Sequence, residues 1–125
     1  MQDHRRLRVY HVAKELAQEV YAVAAALPPS ERFELGRQLR RAAVSVGSDN
    51  AEGCGRSTAR DVCAFLAMAL GSAAELEFQL GHCSRVALAP DADIMKALET
   101  SKRVQRMLTS LILRIRTKDQ RASPY

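Results

Sequence analysis

From Val62 to Cys83 the sequence keeps one rhythm: Val62, Leu66, Ala69, Ala73, Leu76, Leu80 and Cys83 stand alternately four and three residues apart. At about 3.6 residues per turn, that spacing returns again and again to the same stripe of an α-helix. A long stripe of mixed small and large apolar side chains is stable only when other helices cover it, so the feature predicts a helical bundle.

Three further stripes supply the cover. A first helix is predicted from Leu7 to Leu27, with Val9, Ala13, Leu16, Val20, Val23 and Leu27 inward, and Pro28-Pro29 ends it because proline lacks an N–H and crowds the preceding turn. A second helix opens at Ser30 as N-cap, places Glu31 and Glu34 at the positive end of its dipole, carries Leu35, Leu39, Ala42 and Val46 inward, and closes near Val46 or Gly47. The third, which bears the long seam, opens with Thr58 and Asp61 as an approximate capping box and runs to Arg85. Pro90-Asp91 opens the fourth, whose stripe is Ile94, Ala97, Ser101, Val104, Leu108, Leu111 and Ile115. Between the second and third helices, residues 47–55 are dense in turn formers and read as a tight connection, with Glu52, Gly53 and Gly55 as its structural residues. Short connections between long helices favour antiparallel neighbours. The expected fold is therefore all-α, an antiparallel up-down-up-down four-helix bundle over residues 1–117, followed by a frayed tail at 118–125.

Several function classes are set aside by what the chain lacks. If Cys63 and Cys83 share a helix they lie about 30 Å apart, too far for a disulfide, and an odd total of three cysteines suits a reducing cytoplasm. Arg5, Arg6 and Arg8 are followed by Lys14, Glu15 and Glu19 rather than by the apolar core of a signal peptide. No run reaches the roughly 18 uncharged apolar residues of a membrane span, and no membrane partner is expected. His4, His11 and His82 form no Glu-x-x-His pair of the di-iron bundle type, and no nucleophile stands beside a base at a catalytic spacing. Neither metal, cofactor nor catalytic residue is expected, and the chain reads as a non-enzyme.

Charge carries the functional signal. The net charge is +5, and in an antiparallel bundle the start of the first helix, the turn between the second and third, and the end of the fourth meet at one pole. To that pole the sequence assigns Arg5, Arg6, Arg8, Arg40, Arg41, Arg56, Arg60, Arg114, Arg116, Lys118 and Arg121; Glu31, Glu34, Asp91 and Asp93 go to the other, partly balanced by Arg32 and Arg85. The planar guanidinium fork matches phosphate oxygens, so the basic pole is a candidate nucleic-acid surface, RNA favoured. The few aromatic residues fall mostly on core stripes, which leaves no base-stacking platform. The alternative is a scaffold whose basic pole docks an acidic partner protein.

Leu39-Arg40-Arg41-Ala42-Ala43-Val44-Ser45-Val46, then Ala51-Glu52-Gly53 with Gly55-Arg56, then Phe65-Leu66, Ala69-Leu70-Gly71-Ser72, Glu75-Leu76 and Gln79-Leu80 form a recurrent pattern. Together with Tyr21, Pro28, Glu31-Arg32-Phe33 and Gln38, it resembles the ribosomal-RNA intervening-sequence protein family of bacterial four-helix bundles. That family includes the accessory variability protein of diversity-generating retroelements, a homopentameric basic partner of a reverse transcriptase and its RNA. The resemblance implies a pentameric bundle assembly, with nucleic-acid binding known for the retroelement branch. Where the family usually has Pro-Ala-Asn-Ile before Ala-Glu-Gly, this chain has Gly47-Ser48-Asp49-Asn50, which reads as a flexible polar turn in place of a rigid apolar one.

Single residues carry narrower expectations. Glu52 is expected to pair with Arg41 or Arg56, or to accept backbone N–H bonds. Gly71 costs its helix about 1 kcal/mol of propensity, which close helix approach within the bundle or between subunits would explain. Glu75 and Gln79 are placed to bond across helices or subunits. Met68, Leu70, Leu98 and Ile112 lie off the main stripes, which points to a second buried face in a homo-oligomer.

Overall fold

The computed structural model describes residues 4–122, which form α1 (His4–Ala26), α2 (Pro29–Arg32), α3 (Leu35–Cys54), α4 (Ala59–Arg85) and α5 (Asp91–Ala122), with no strand among the described residues. The four long helices make an antiparallel bundle. α1 packs on α3 and α5, and α4 packs on the same two, so the order around the bundle axis is α1, α3, α4, α5. The core is built from the four stripes: Leu16, Leu39, Leu66, Leu76, Leu80, Ile94 and Leu108 are fully buried, and of the expected inward residues only Leu35 and Ile115 are half-buried. A buried Leu of this kind contributes about 1.5–3 kcal/mol by leaving water.

Helix ends follow local chemistry. Thr58 Oγ1 accepts the Asp61 N–H at 3.1 Å, satisfying one of the first-turn donors of α4. The other end of α4 closes with two reversed hydrogen bonds, from Leu88 N to Cys83 O at 3.0 Å and from Ala87 N to Ser84 O at 3.2 Å. This closure requires a left-handed residue after the cap, and Ala87 supplies it at φ 53° although glycine usually does. Mid-bundle, Ser101 Oγ donates to the Ala73 carbonyl across α4 and α5 at 2.8 Å, and Gln105 Nε2 donates to Glu77 Oε1 at 2.8 Å.

Four expectations change. The N-cap near the second helix is Pro28, not Ser30: Pro29 occupies the first position of α2, where its missing N–H costs nothing, and the chain breaks at Phe33-Glu34 before α3 begins. More consequentially, α3 runs through Gly47 to Cys54, so Glu52 and Gly53 are helical and only Gly55 caps the end. The polar composition of 47–50 misleads because the inward stripe simply continues through Val46, Asn50 and Gly53, all buried, while Ser48 settles its hydroxyl on the Val44 carbonyl at 3.1 Å. α5 is helical to Ala122, well into the segment expected to fray; residues 123–125 lie outside the described residues. Finally, an added Cβ at Gly71 would meet nothing within 4 Å, so no helix of its own protomer approaches it, whereas at Gly53 it would meet Phe65 Cβ at 3.0 Å.

The off-stripe apolar residues divide. Ile112 joins the core, Leu70 and Leu98 pack partly against it, and Met68 stays exposed. Met68 shares the outer face of α4 with Ala64, Ala67, Gly71 and Ala74 and with Phe78, which is 78% exposed. Gln79 Nε2 donates to Glu75 Oε2 at 3.1 Å within α4 rather than to another helix.

Candidate nucleic-acid interface

The start of α1, the end of α3, the start of α4 and the end of α5 gather at one end of the bundle. Two cavities open there on either side of Leu111. The first, about 290 Å³, lies between α1 and α5 and brings together Arg5, Arg8 and Arg106 over Val9 and Met107. The second, about 410 Å³, lies among α1, α4 and α5; Arg6, Arg56, Arg114 and Lys118 line it, with Asp119 as the one acid. Ser57, Thr58 and Ala59 bring the amino-terminal end of α4 to its wall.

Arg56 is held from two sides. Its Nη2 pairs with Glu52 Oε2 at 2.9 Å, one helical turn back, and its guanidinium carbon sits 4.6 Å from the centroid of the Phe65 ring. Glu52 thus selects Arg56 rather than Arg41 and serves as an orienting carboxylate. Arg6 differs: its Nε is buried and has no acceptor in the protein. Asn50, fully buried in the last turns of α3, likewise has neither amide atom partnered by the protein. Burial, and then the charge of Glu52, pushes the Asp49 carboxyl above its ordinary value.

Arg60, Arg116 and Arg121 are exposed at the same end without lining either cavity. Arg40 and Arg41 do not belong there. Because α3 extends to Cys54, they stand in its first two turns, about 21 Å along the axis from that end, and Arg40 Nη1 folds back to within 3.3 Å of the position a Gly36 Cβ would take. Arg106 is not among the cations that the sequence places at the pole. It lies mid-helix, and only the lateral packing of α5 on α1 brings it beside Arg5 and Arg8.

Toward the other end, the same α1–α5 groove changes sign, with Glu15, Glu19 and Asp93 around Lys96. Glu31 is half-buried and Glu34 and Asp91 are exposed beyond it, where Ser84 Oγ donates to Asp91 Oδ1 at 3.2 Å. Burial, followed by the Glu31 charge, pushes the Cys83 thiol up. No disulfide joins Cys54, Cys63 and Cys83 to one another, and no cluster of three metal-ligating side chains occurs among the described residues. No described helix is long and apolar enough to cross a membrane.

Fold and charge together define an antiparallel four-helix bundle with one cationic end. Residues 5–110 match the 23S rRNA-intervening sequence protein family, and the chain belongs to it. A protein of unknown function from the S23 ribosomal protein family of Bacteroides thetaiotaomicron superposes on it with a TM-score of 0.79 at 21% identity, covering 86% of this chain and 97% of that one. At that identity the likeness speaks to the fold. Comparison with curated proteins gives no match.

Proposed function

We propose that this chain is a non-enzymatic, cytoplasmic, homo-oligomeric bundle that binds RNA or another nucleic acid through its cationic end. What supports the reading is the convergence of Arg5, Arg8 and Arg106 around one cavity and of Arg6, Arg56, Arg114 and Lys118 around the next. Seven cations on two adjoining cavities form a surface that can neutralise phosphates and so release the counterions condensed on the nucleic acid, a sequence-independent source of affinity. The exposed apolar face of α4 supports self-association, and the family resemblance favours a pentamer, which would present several copies of the cationic end to one polyanion.

Fluorescence anisotropy with a generic oligoribonucleotide across a salt series tests this. Affinity falls steeply with salt, and Arg106→Ala and Arg114→Ala each lower the magnitude of the salt slope by about one unit for every phosphate left without its cation. Arg40→Ala, on the far half of α3, changes it little. Absent binding at low salt, or equal losses from Arg40→Ala and Arg114→Ala, would overturn the reading and leave the docking of an acidic protein.

A further inference from the structure

The two cavities are not equivalent. The one between α1 and α5 is a side groove, whereas the one among α1, α4 and α5 also receives the start of a 27-residue helix. In α4, Thr58 Oγ1 takes the Asp61 N–H and the Thr58 carbonyl takes the Val62 N–H, while the N–H of Ala59, which lines the cavity, has no acceptor within the helix. Arg6, which also lines the site, has a buried Nε without a protein acceptor, a second unpaired donor among the lining residues. Arg56 is fixed by Glu52 and Phe65 before any ligand arrives, so its remaining N–H groups are presented without much loss of side-chain freedom. Four cations line the cavity with Asp119 as the one acid on its wall, and of the four Arg56 is already paired with Glu52 outside the lining.

We propose that this cavity seats a terminal phosphate group, and that the end of a nucleic-acid strand supplies it. Such a seat rests on the polyanion reading above but asks more of the site. A diester inside a strand carries one negative charge and turns two oxygens into chain links. A monoester at a strand end carries about 1.5 to 2 charges at neutral pH and three free oxygens, which suits a pocket with several converging donors better than a side groove does. The hydroxyls of Ser57 and Thr58 and the apolar wall of Leu111 and Ile115 leave room beside the phosphate for the first sugar.

The test compares one fluorescent oligoribonucleotide carrying a 5′-phosphate, a 3′-phosphate or hydroxyls at both ends, by anisotropy with the full chain at moderate salt. The proposal expects one phosphorylated end to bind about tenfold tighter or better than the hydroxyl form. That preference is lost in Arg6→Gln and Arg114→Gln and kept in Arg8→Gln, whose side chain lines the other cavity. Arg114→Lys keeps the charge and removes the fork, so it reduces the preference more than it reduces total binding. Circular-dichroism melts establish that each variant is folded. Equal affinity for all three oligonucleotides with a normal salt slope overturns the phosphate seat and leaves the polyanion surface standing. A preference that survives both Arg6→Gln and Arg114→Gln overturns the assignment to this cavity. Inorganic phosphate competing as well as the phosphorylated strand overturns the strand-end source, and no binding of any oligonucleotide overturns both readings.

Discussion

Gly53→Ala is the sharpest test of how closely α3 and α4 approach. An added Cβ would lie 3.0 Å from Phe65 Cβ, 3.3 Å from the Val62 carbonyl oxygen and 3.6 Å from Leu66 Cδ2. Carbon atoms rest about 3.5–4.0 Å apart, so the nearest contact must open by about 0.5 Å. The first two obstacles are a Cβ and a backbone oxygen, which cannot rotate away, and relief requires the helices to part. Overpacking of this kind costs about 1–3 kcal/mol, against a propensity gain below about 1 kcal/mol because Gly53 sits in the last turn. The net loss is about 1–2 kcal/mol, or a fall in Tm of about 3–8 °C for a domain of this length. Thermal and urea melts at one protein concentration measure it, with Gly71→Ala as the control. At Gly71 the added Cβ meets nothing, so the same substitution stabilises the isolated protomer by up to about 1 kcal/mol; a Phe78→Glu background keeps α4 free of a second copy. A Gly53→Ala protein as stable as its parent, or effects of one sign at both glycines, would refute the reasoning from space.

Thr58→Ala removes the cap on α4 and costs about 1 kcal/mol in a urea titration. Ala87→Gly relieves a left-handed alanine and raises stability by about 0.5–1 kcal/mol, net of the added freedom of the unfolded chain; no gain would mean that the turn tolerates alanine without strain. Asp49→Asn stabilises at neutral pH. The folded-state pKa of Asp49 is raised, so its charged form costs stability above that pKa, and the cost disappears as pH falls through it toward the ordinary value of 3.8; melts from pH 7 down to below 3.8 should show the advantage of Asn shrinking to nothing.

The long seams are legible because a buried stripe is a periodic constraint: Val62 through Cys83 and Ile94 through Leu111 must repeat if they are to stay covered. What periodicity reports is which face points inward, and it says nothing of which helix lies to either side. Arg106 therefore gives no sign of joining the cationic end until α1 is seen beside α5. The end of α3 misleads for a different reason. Gly47, Ser48 and Asp49 have the composition of a turn, but Val46, Asn50 and Gly53 carry the inward stripe forward, and tertiary burial outweighs weak local preference. Ending the helix too soon is what sends Arg40 and Arg41 to the wrong end. Ser30 suits a cap on residue type alone, while Pro29, with its φ already fixed, starts the turn sooner.

The hydroxyl of Ser101 on the Ala73 carbonyl has a mechanical consequence. Seams of repeating small and large residues fit one another nearly as well after a slide of one turn, so packing alone sets the axial phase of α5 against α4 only weakly. A buried bond between the two helices acts as a detent, since any slide breaks it and leaves the hydroxyl only the carbonyls of its own helix. Arg114 lies about 20 Å further along the same rigid rod, and a slip of one turn would displace it by about 5.4 Å. The positions of the cations at the end of α5 are thus indexed from the middle of the molecule, far from anything they would touch.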